Sequence, residues 1–232
     1  MIKTAMALLA SSALFFASPI SAALIINEVD YDQPGTDTAE FIELFNQNTT
    51  DINLSPYSVA LINGNNGSSI YETITLPSLT LGAGEYFVIC GDSNSVINCD
   101  WTASKSTNLI QNGAPDAIAL MLNNVVQDSL SYEGNTASYT EGSGVGLVDD
   151  PDFDFMGLSL FPNGTASNQN NVDFIFSCIT PGMQNINQSR NCFAPVAASV
   201  LSSGLPAPTS AWLLSLGLLG LGYHQRHKKA RC

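Results

Sequence analysis

A chain of 232 residues with 20 acidic and only 7 basic side chains, net charge −13, is a poor candidate for binding phosphate backbones. Segregation of charge sharpens this: every Asp and Glu lies between Glu28 and Asp173, and between the first segment with Lys3 and the basic end from Arg226 the only basic residues are Lys105 and Arg190. That body carries two positive charges against 20 negative ones, a net −18 that repels nucleic acid. Both histidines, His224 and His227, lie near the end of the chain, so the body lacks the commonest general base and metal ligand.

Met1 to about Ala22 holds Lys3, an apolar run from Ala5 to Phe16 and the small residues Ser21-Ala22-Ala23. This is the pattern of a secretory signal peptide, and its apolar run is shorter than the roughly 20 residues a membrane span needs. Export places the cysteines in an oxidising compartment. Cys90, Cys99, Cys178 and Cys192 allow three connectivities. Local pairing, Cys90–Cys99 and Cys178–Cys192, is expected because each pair flanks a turn-rich loop, each bridge contributing roughly 2–3 kcal/mol. Without CxxC spacing these thiols do not form a zinc signature, and Cys232 is left over.

The stretch Leu24 to Asn46 reads as a β-hairpin. Ile25, Ile26 and Val29 form a β-branched run; Asp32 to Asp37, with Pro34-Gly35, is a turn; Glu40 to Phe45 alternates polar and apolar like a half-buried strand. Asp51 to Pro56 reads as a connection. Tyr57, Val59 and Leu61 alternate, Asn63 to Gly67 signals a turn, Ile70 to Leu76 is a strand candidate, and Leu79 to Cys90 holds a turn and a buried strand. Ala117 to Leu122 is a buried strand, and Asn123-Asn124 a two-residue hairpin loop because Asn tolerates positive φ. In the strand that follows, Val126, Asp128, Leu130 and Tyr132 fall on one face by strict alternation. From Tyr139 the chain reads as irregular through Gly157 to Gly164, Asn171 to Phe174 and Thr180-Pro181-Gly182.

The wording Ile26-Asn27-Glu28-Val29, then Glu40-Phe41-Ile42-Glu43-Leu44-Phe45-Asn46, resembles the opening of a bacterial exported lamin-tail domain. So do the Leu81, Gly84-Glu85-Tyr86, Val88 and Cys90-Gly91-Asp92 stretch, the run from Ala117 to Gly134, and the closing Asp173-Phe174 and Thr180-Pro181-Gly182. The likeness covers roughly Leu24 to Cys192. It implies an all-β, immunoglobulin-like β-sandwich, which the succession of short strands and turn signals supports independently.

Ala194 to Gly204 is a small, polar linker. Pro206-Ala207-Pro208 then leads into the apolar segment Ala211 to Tyr223 and a basic end from His224 to Arg231. This resembles a PEP-CTERM-type sorting tail of Gram-negative bacteria, although Pro206-Ala207-Pro208 replaces the usual Pro-Glu-Pro. A transient, cleaved anchor and a permanent membrane anchor both fit, since Leu205 to Tyr223 spans 19 residues. The expected organisation is a signal peptide (1–22), the sandwich (23–193), the linker (194–204) and the tail (205–232) with its short hydrophobic helix.

Few residues offer chemistry. Asp149-Asp150-Pro151-Asp152-Phe153-Asp154 is an oxygen-rich loop that suits Ca²⁺ or is simply solvated, and it lacks EF-hand spacing. Asp30, Asp32 and Asp37 form a second acidic turn with the same two readings. Glu28, Glu40 and Glu43 are acidic enough for a glycosidase pair, but Glu40 and Glu43 fall on opposite faces of one strand. The expectation is a non-catalytic module without a cofactor, exported to the cell surface or extracellular matrix. Its partners would be an envelope protein or polysaccharide, the membrane through its tail, and no nucleic acid. The alternative is a secreted hydrolase or hydrolase-accessory domain, Ca²⁺-dependent.

Overall fold

The computed structural model describes residues 22–142 and 154–196; nearly all of the stretch expected as a signal peptide, the whole of that expected as a sorting tail with a short hydrophobic helix, Cys232 and residues 149–153 of the acidic loop lie outside the described residues. Among the described residues no helix is long and apolar enough to cross a membrane.

The larger sheet has six strands. Its centre is the predicted hairpin, β1 (Leu24–Asp30) and β2 (Phe41–Asn46). Outside this sheet the chain next forms β3 (Ile52–Asn53), β4 (Tyr57–Asn63) and β5 (Ser69–Thr75). After β6 (Thr80–Leu81), β7 (Tyr86–Cys90) and β8 (Trp101–Thr102) extend the large sheet beyond β2, β8 running parallel to β7. β9 (Asp116–Leu122) and β10 (Val125–Tyr132) join β4 and β5 in a four-stranded sheet of order β10-β9-β4-β5. Finally β11 (Met156–Leu160) and β12 (Phe174–Cys178) pair on the other side of β1, so the large sheet reads β12-β11-β1-β2-β7-β8.

Alternation along each strand aims one row of side chains between the sheets. Val29, Ile42, Leu44, Phe87, Ile89 and Leu158 meet Val59, Leu61, Ile118, Leu120 and Leu130 in one apolar core. Tyr31 and Tyr132 stack there at 4.4 Å between centroids, and the Tyr132 hydroxyl donates to the Gln111 carbonyl at 2.6 Å. The Asn123-Asn124 loop adopts positive φ at both residues, 50° and 65°, as its composition predicts.

Several readings are corrected. Asp51 to Pro56 is not only a connection: β3 within it pairs with β6 in a separate two-stranded sheet. The region after Tyr139 contains β11, β12 and one turn of helix, α1 (Asn170–Asp173). A bulge between Val126 and Asp128 puts them opposite Met121 and Leu120, on opposite faces, so Val126 does not share the face of Asp128. β2 is not half-buried: Phe41 and Glu43, on the face away from the core, are buried as well.

That second face is covered by the loop after β7 and by the segment after β12. Phe41, Val88, Cys90, Val96 and Ile179 form a smaller apolar cluster there. Both local disulfides form, Cys90–Cys99 at 2.00 Å and Cys178–Cys192 at 1.97 Å, and each fastens one of the two covering segments to a strand of the sheet.

Candidate functional site

The carboxylates singled out by the sequence are sealed. Glu28 and Glu43 stand directly opposite each other on β1 and β2, facing outward from the core, and both are fully buried. Glu28 accepts from the Ser159 hydroxyl at 2.7 Å and from the Thr180 amide at 2.8 Å. Glu43 accepts from the Asn27 side-chain amide at 2.7 Å and from the Gly182 amide at 2.6 Å. Gly182 holds φ +79°, and a Cβ there would lie 2.8 Å from the Asn98 Cβ, so only glycine brings this amide onto Glu43.

Asn185 locks the covering segment in place. Its side-chain amide donates to the Asn27 carbonyl at 2.8 Å and to the Leu160 carbonyl at 2.9 Å. Asn163 accepts from both the Asn185 amide and the Asn27 side chain. The side chains of Asn27, Glu28, Glu43, Asn163, Thr180 and Asn185 in this layer all have hydrogen-bond partners within the protein, which is what burial demands.

Burial without a cation raises these acids. Desolvation pushes Glu28 from 4.5 up to about 7 and Glu43 well above 4.5, the latter helped by the neighbouring Glu28 charge. Glu40 follows the same pattern on the opposite face: it accepts from the Leu109 and Ile110 amides at 2.6 and 2.9 Å, and burial raises it to about 7. On β10, Asp128 accepts from the Ile26 amide at 2.6 Å and shares a hydrogen bond with Glu141; burial lifts them to about 6 and about 7.

This geometry answers the glycosidase idea. Glu28 and Glu43 have no exposed surface, and their oxygens are occupied by hydroxyl and amide donors, leaving no room for a sugar or an attacking water. Of the acids in the second acidic turn, only Asp32 is partly open to solvent. Asp30 and Asp37 are buried, and Asp37 organises the turn by accepting from the Gln33 amide at 3.1 Å. Among the described residues no group of three or more His, Cys, Asp or Glu is arranged to hold a metal. Of the acidic loop only Asp154 is described, and it is exposed.

A site that sequence reasoning missed lies beside this turn. An open cleft of about 220 Å³ is formed where the β1–β2 loop, the loop after β7, the start of β11 and the segment after β12 converge. Phe41, Val96, Phe155 and Ile179 give it an apolar lining, with Asp30 and Asp154 as its charged residues. Gln33 braces one wall: its side chain donates to Asp30 at 2.6 Å and accepts from the Ala39 amide at 3.1 Å. No local motif signals such a site, because its residues come from positions 30 to 195 of the chain.

No curated protein matches the chain. The Lamin Tail Domain family model matches residues 17–134, just over half of the sequence. The match ends two residues after β10, and β11 and β12 continue the same large sheet beyond it. Members of that family are immunoglobulin-like modules without catalysis of their own, in keeping with two packed sheets whose acidic side chains are turned to structural use. The chain belongs to the lamin tail domain family.

Proposed function

We propose that this protein is a non-catalytic interaction module, exported to the cell surface or extracellular matrix of a Gram-negative bacterium and delivered there by its C-terminal tail. The observation that carries the reading is the sealing of Glu28, Glu40 and Glu43, each engaged by hydrogen-bond donors of the protein itself rather than facing an opening. The partner is an envelope protein or a polysaccharide; the −18 charge of the body disfavours nucleic acid. Two disulfides suit an oxidising compartment. No observation on the described residues favours the alternative of a Ca²⁺-dependent hydrolase or hydrolase accessory.

The test is capture of partners by the exported, purified protein from envelope and polysaccharide fractions of its host. Retention of a defined component at physiological salt is expected. Turnover of a glycan or phosphodiester by the pure protein would overturn the non-catalytic reading.

The tail, in this proposal, holds the protein transiently at the membrane and is then removed. Intact-mass measurement on native material is expected to show a chain that has lost the segment from Leu205 onward. A mass extending through Cys232, on protein released only by detergent, would establish a permanent anchor instead.

A further inference from the structure

The edges of the two sheets are not treated alike. β10 ends the small sheet on one side, and side chains occupy its outer backbone groups. The Ser129 amide donates to Glu141 Oε1 at 3.2 Å, the Ser131 amide to Asn170 Oδ1 at 3.1 Å, and the Asn170 side-chain amide to the Ser129 carbonyl at 2.8 Å. At one end of the large sheet the Cys178 amide of β12 donates to the Gln188 carbonyl at 2.7 Å. β8, at the other end, is only two residues long. β5 ends the small sheet with seven residues and, among the described residues, has no neighbouring strand on its outer side. It carries neither Pro nor Lys, the usual guards of an open edge, and its one irregularity is the bulge at Tyr71, in its first half.

The register fixes which backbone groups face outward. The Leu76 amide donates to the Tyr57 carbonyl at 3.1 Å, and inward and outward residues alternate along an antiparallel strand. Ile74 and Glu72 therefore turn their N–H and C=O to β4, whereas Thr73 and Thr75 turn theirs to the open side. Both threonines are exposed. Charge is also least adverse here. Glu72 is the only charged residue of β5, and its carboxylate accepts from the Ser104 hydroxyl at 3.3 Å. Lys105, one of only two cations in a body of net charge −18, lies over the Tyr71 ring at 5.6 Å. A second body of the same charge is repelled less at an edge that carries a cation.

We infer that β5 is a self-association edge, at which two copies of this chain pair antiparallel about a two-fold axis at Ile74. Thr73 of each copy exchanges N–H···O=C bonds with Thr75 of the other, so no outward group in the regular run 72–75 is left over. Glu72 faces Leu76 of the second copy, and like charges are not opposed. The edge is thus its own complement, which favours a second copy over a foreign strand. The two four-stranded sheets become one continuous sheet, and the isologous contact closes as a dimer. It covers less than the roughly 1,200 Å² of a stable interface, so the dimer is weak, with a Kd on the order of 0.1–1 mM. Such an affinity acts where many copies share one surface.

The experiment is sedimentation equilibrium on the exported protein up to about 1 mM, with amide hydrogen exchange across the same range. A monomer–dimer equilibrium is expected, tightening several-fold at 0.5 M salt as the repulsion between acidic bodies is screened. The Thr73 and Thr75 amides should gain protection with concentration, and the Ser129 amide should not. Thr75→Pro removes an outward N–H, spares the bonds to β4 and should abolish the dimer. Should that variant not fold, Thr73→Asp, at an exposed position, should weaken association beyond detection. Asn187→Asp, exposed in the segment beside β12, adds the same charge and should leave association unchanged. A protein monomeric throughout the range at both salts, or association that survives the edge variants, would overturn the proposal. So would β5 amides whose protection is independent of concentration.

Discussion

The melting temperature of this protein should fall as pH rises from 5 to 8, and Glu28→Gln should flatten much of that slope. In the folded state burial raises Glu28, Glu40 and Glu141 from 4.5 to about 7, and Asp116 and Asp128 from 3.8 to about 6. The native state therefore holds protons that the unfolded chain releases. Stability from these groups is fully present below their unfolded values, near 4, and is lost as pH climbs through 6 to 7. Asp92, lowered by its hydrogen bonds to Asn94, works the other way, but it lies in a surface turn where solvent screens the effect. For Glu28 the loss above pH 7 is on the order of 3 kcal/mol.

Glutamine imitates the protonated acid. Its carbonyl accepts from the Thr180 amide, and its NH₂ faces the hydroxyls of Ser159 and Thr180, which turn to accept. The Thr180 hydroxyl already has a second acceptor waiting in Asn185, at 3.2 Å. Glu28→Gln should thus raise the melting temperature by about 5 °C at pH 8 and by little at pH 5. Calorimetry across that range checks it. A wild-type melting temperature that climbs toward pH 8, or a variant curve parallel to the wild type, would refute it.

Asn185→Ala should cost about 3–4 kcal/mol and loosen the covering segment first. The change leaves the Asn27 and Leu160 carbonyls buried without their donor and takes away the Thr180 contact. Each orphaned buried group costs about 1–3 kcal/mol. Because Cys178–Cys192 still ties the segment down, the loss should show in urea melts as a lower midpoint and in limited proteolysis as new cleavage between Ile179 and Arg190. Asn94→Ala, at an exposed turn, serves as the control and should stay within about 0.5 kcal/mol. A loss below about 1 kcal/mol for Asn185→Ala would show the clamp to be ornamental.

Much of the sandwich could be read from local signals. Pro34-Gly35 and Asn123-Asn124 mark hairpins because their backbones favour the turn itself; the β-branched run of β1, the alternation of Tyr57, Val59 and Leu61 in β4 and the apolar run of β9 mark strands. What escaped notice has a common physical cause. A polar position in an alternating strand reads as solvent-facing, yet Glu28, Glu43 and Ser159 face a second layer supplied by distant sequence. β11 went unseen because its outward positions are Gly157 and Ser159; the first must be small, since a Cβ there would sit 2.6 Å from the Val29 carbonyl. The bulges after Ile26 and Val126 shift register without any Gly or Pro to announce them. The cleft needs four distant stretches at once, which no spacing rule encodes.

The place of β1 in the large sheet bears on the order in which the chain becomes a protein. The first strand synthesised is interior, flanked on one side by its hairpin partner and on the other by β11, and the Glu28–Ser159 contact joins residues 131 positions apart. During synthesis one flank of β1 stays open until more than a hundred further residues have emerged. Contacts of such long range close slowly, since the loop entropy comes before the reward. Until β11 and β12 have emerged, the large sheet remains open at β1.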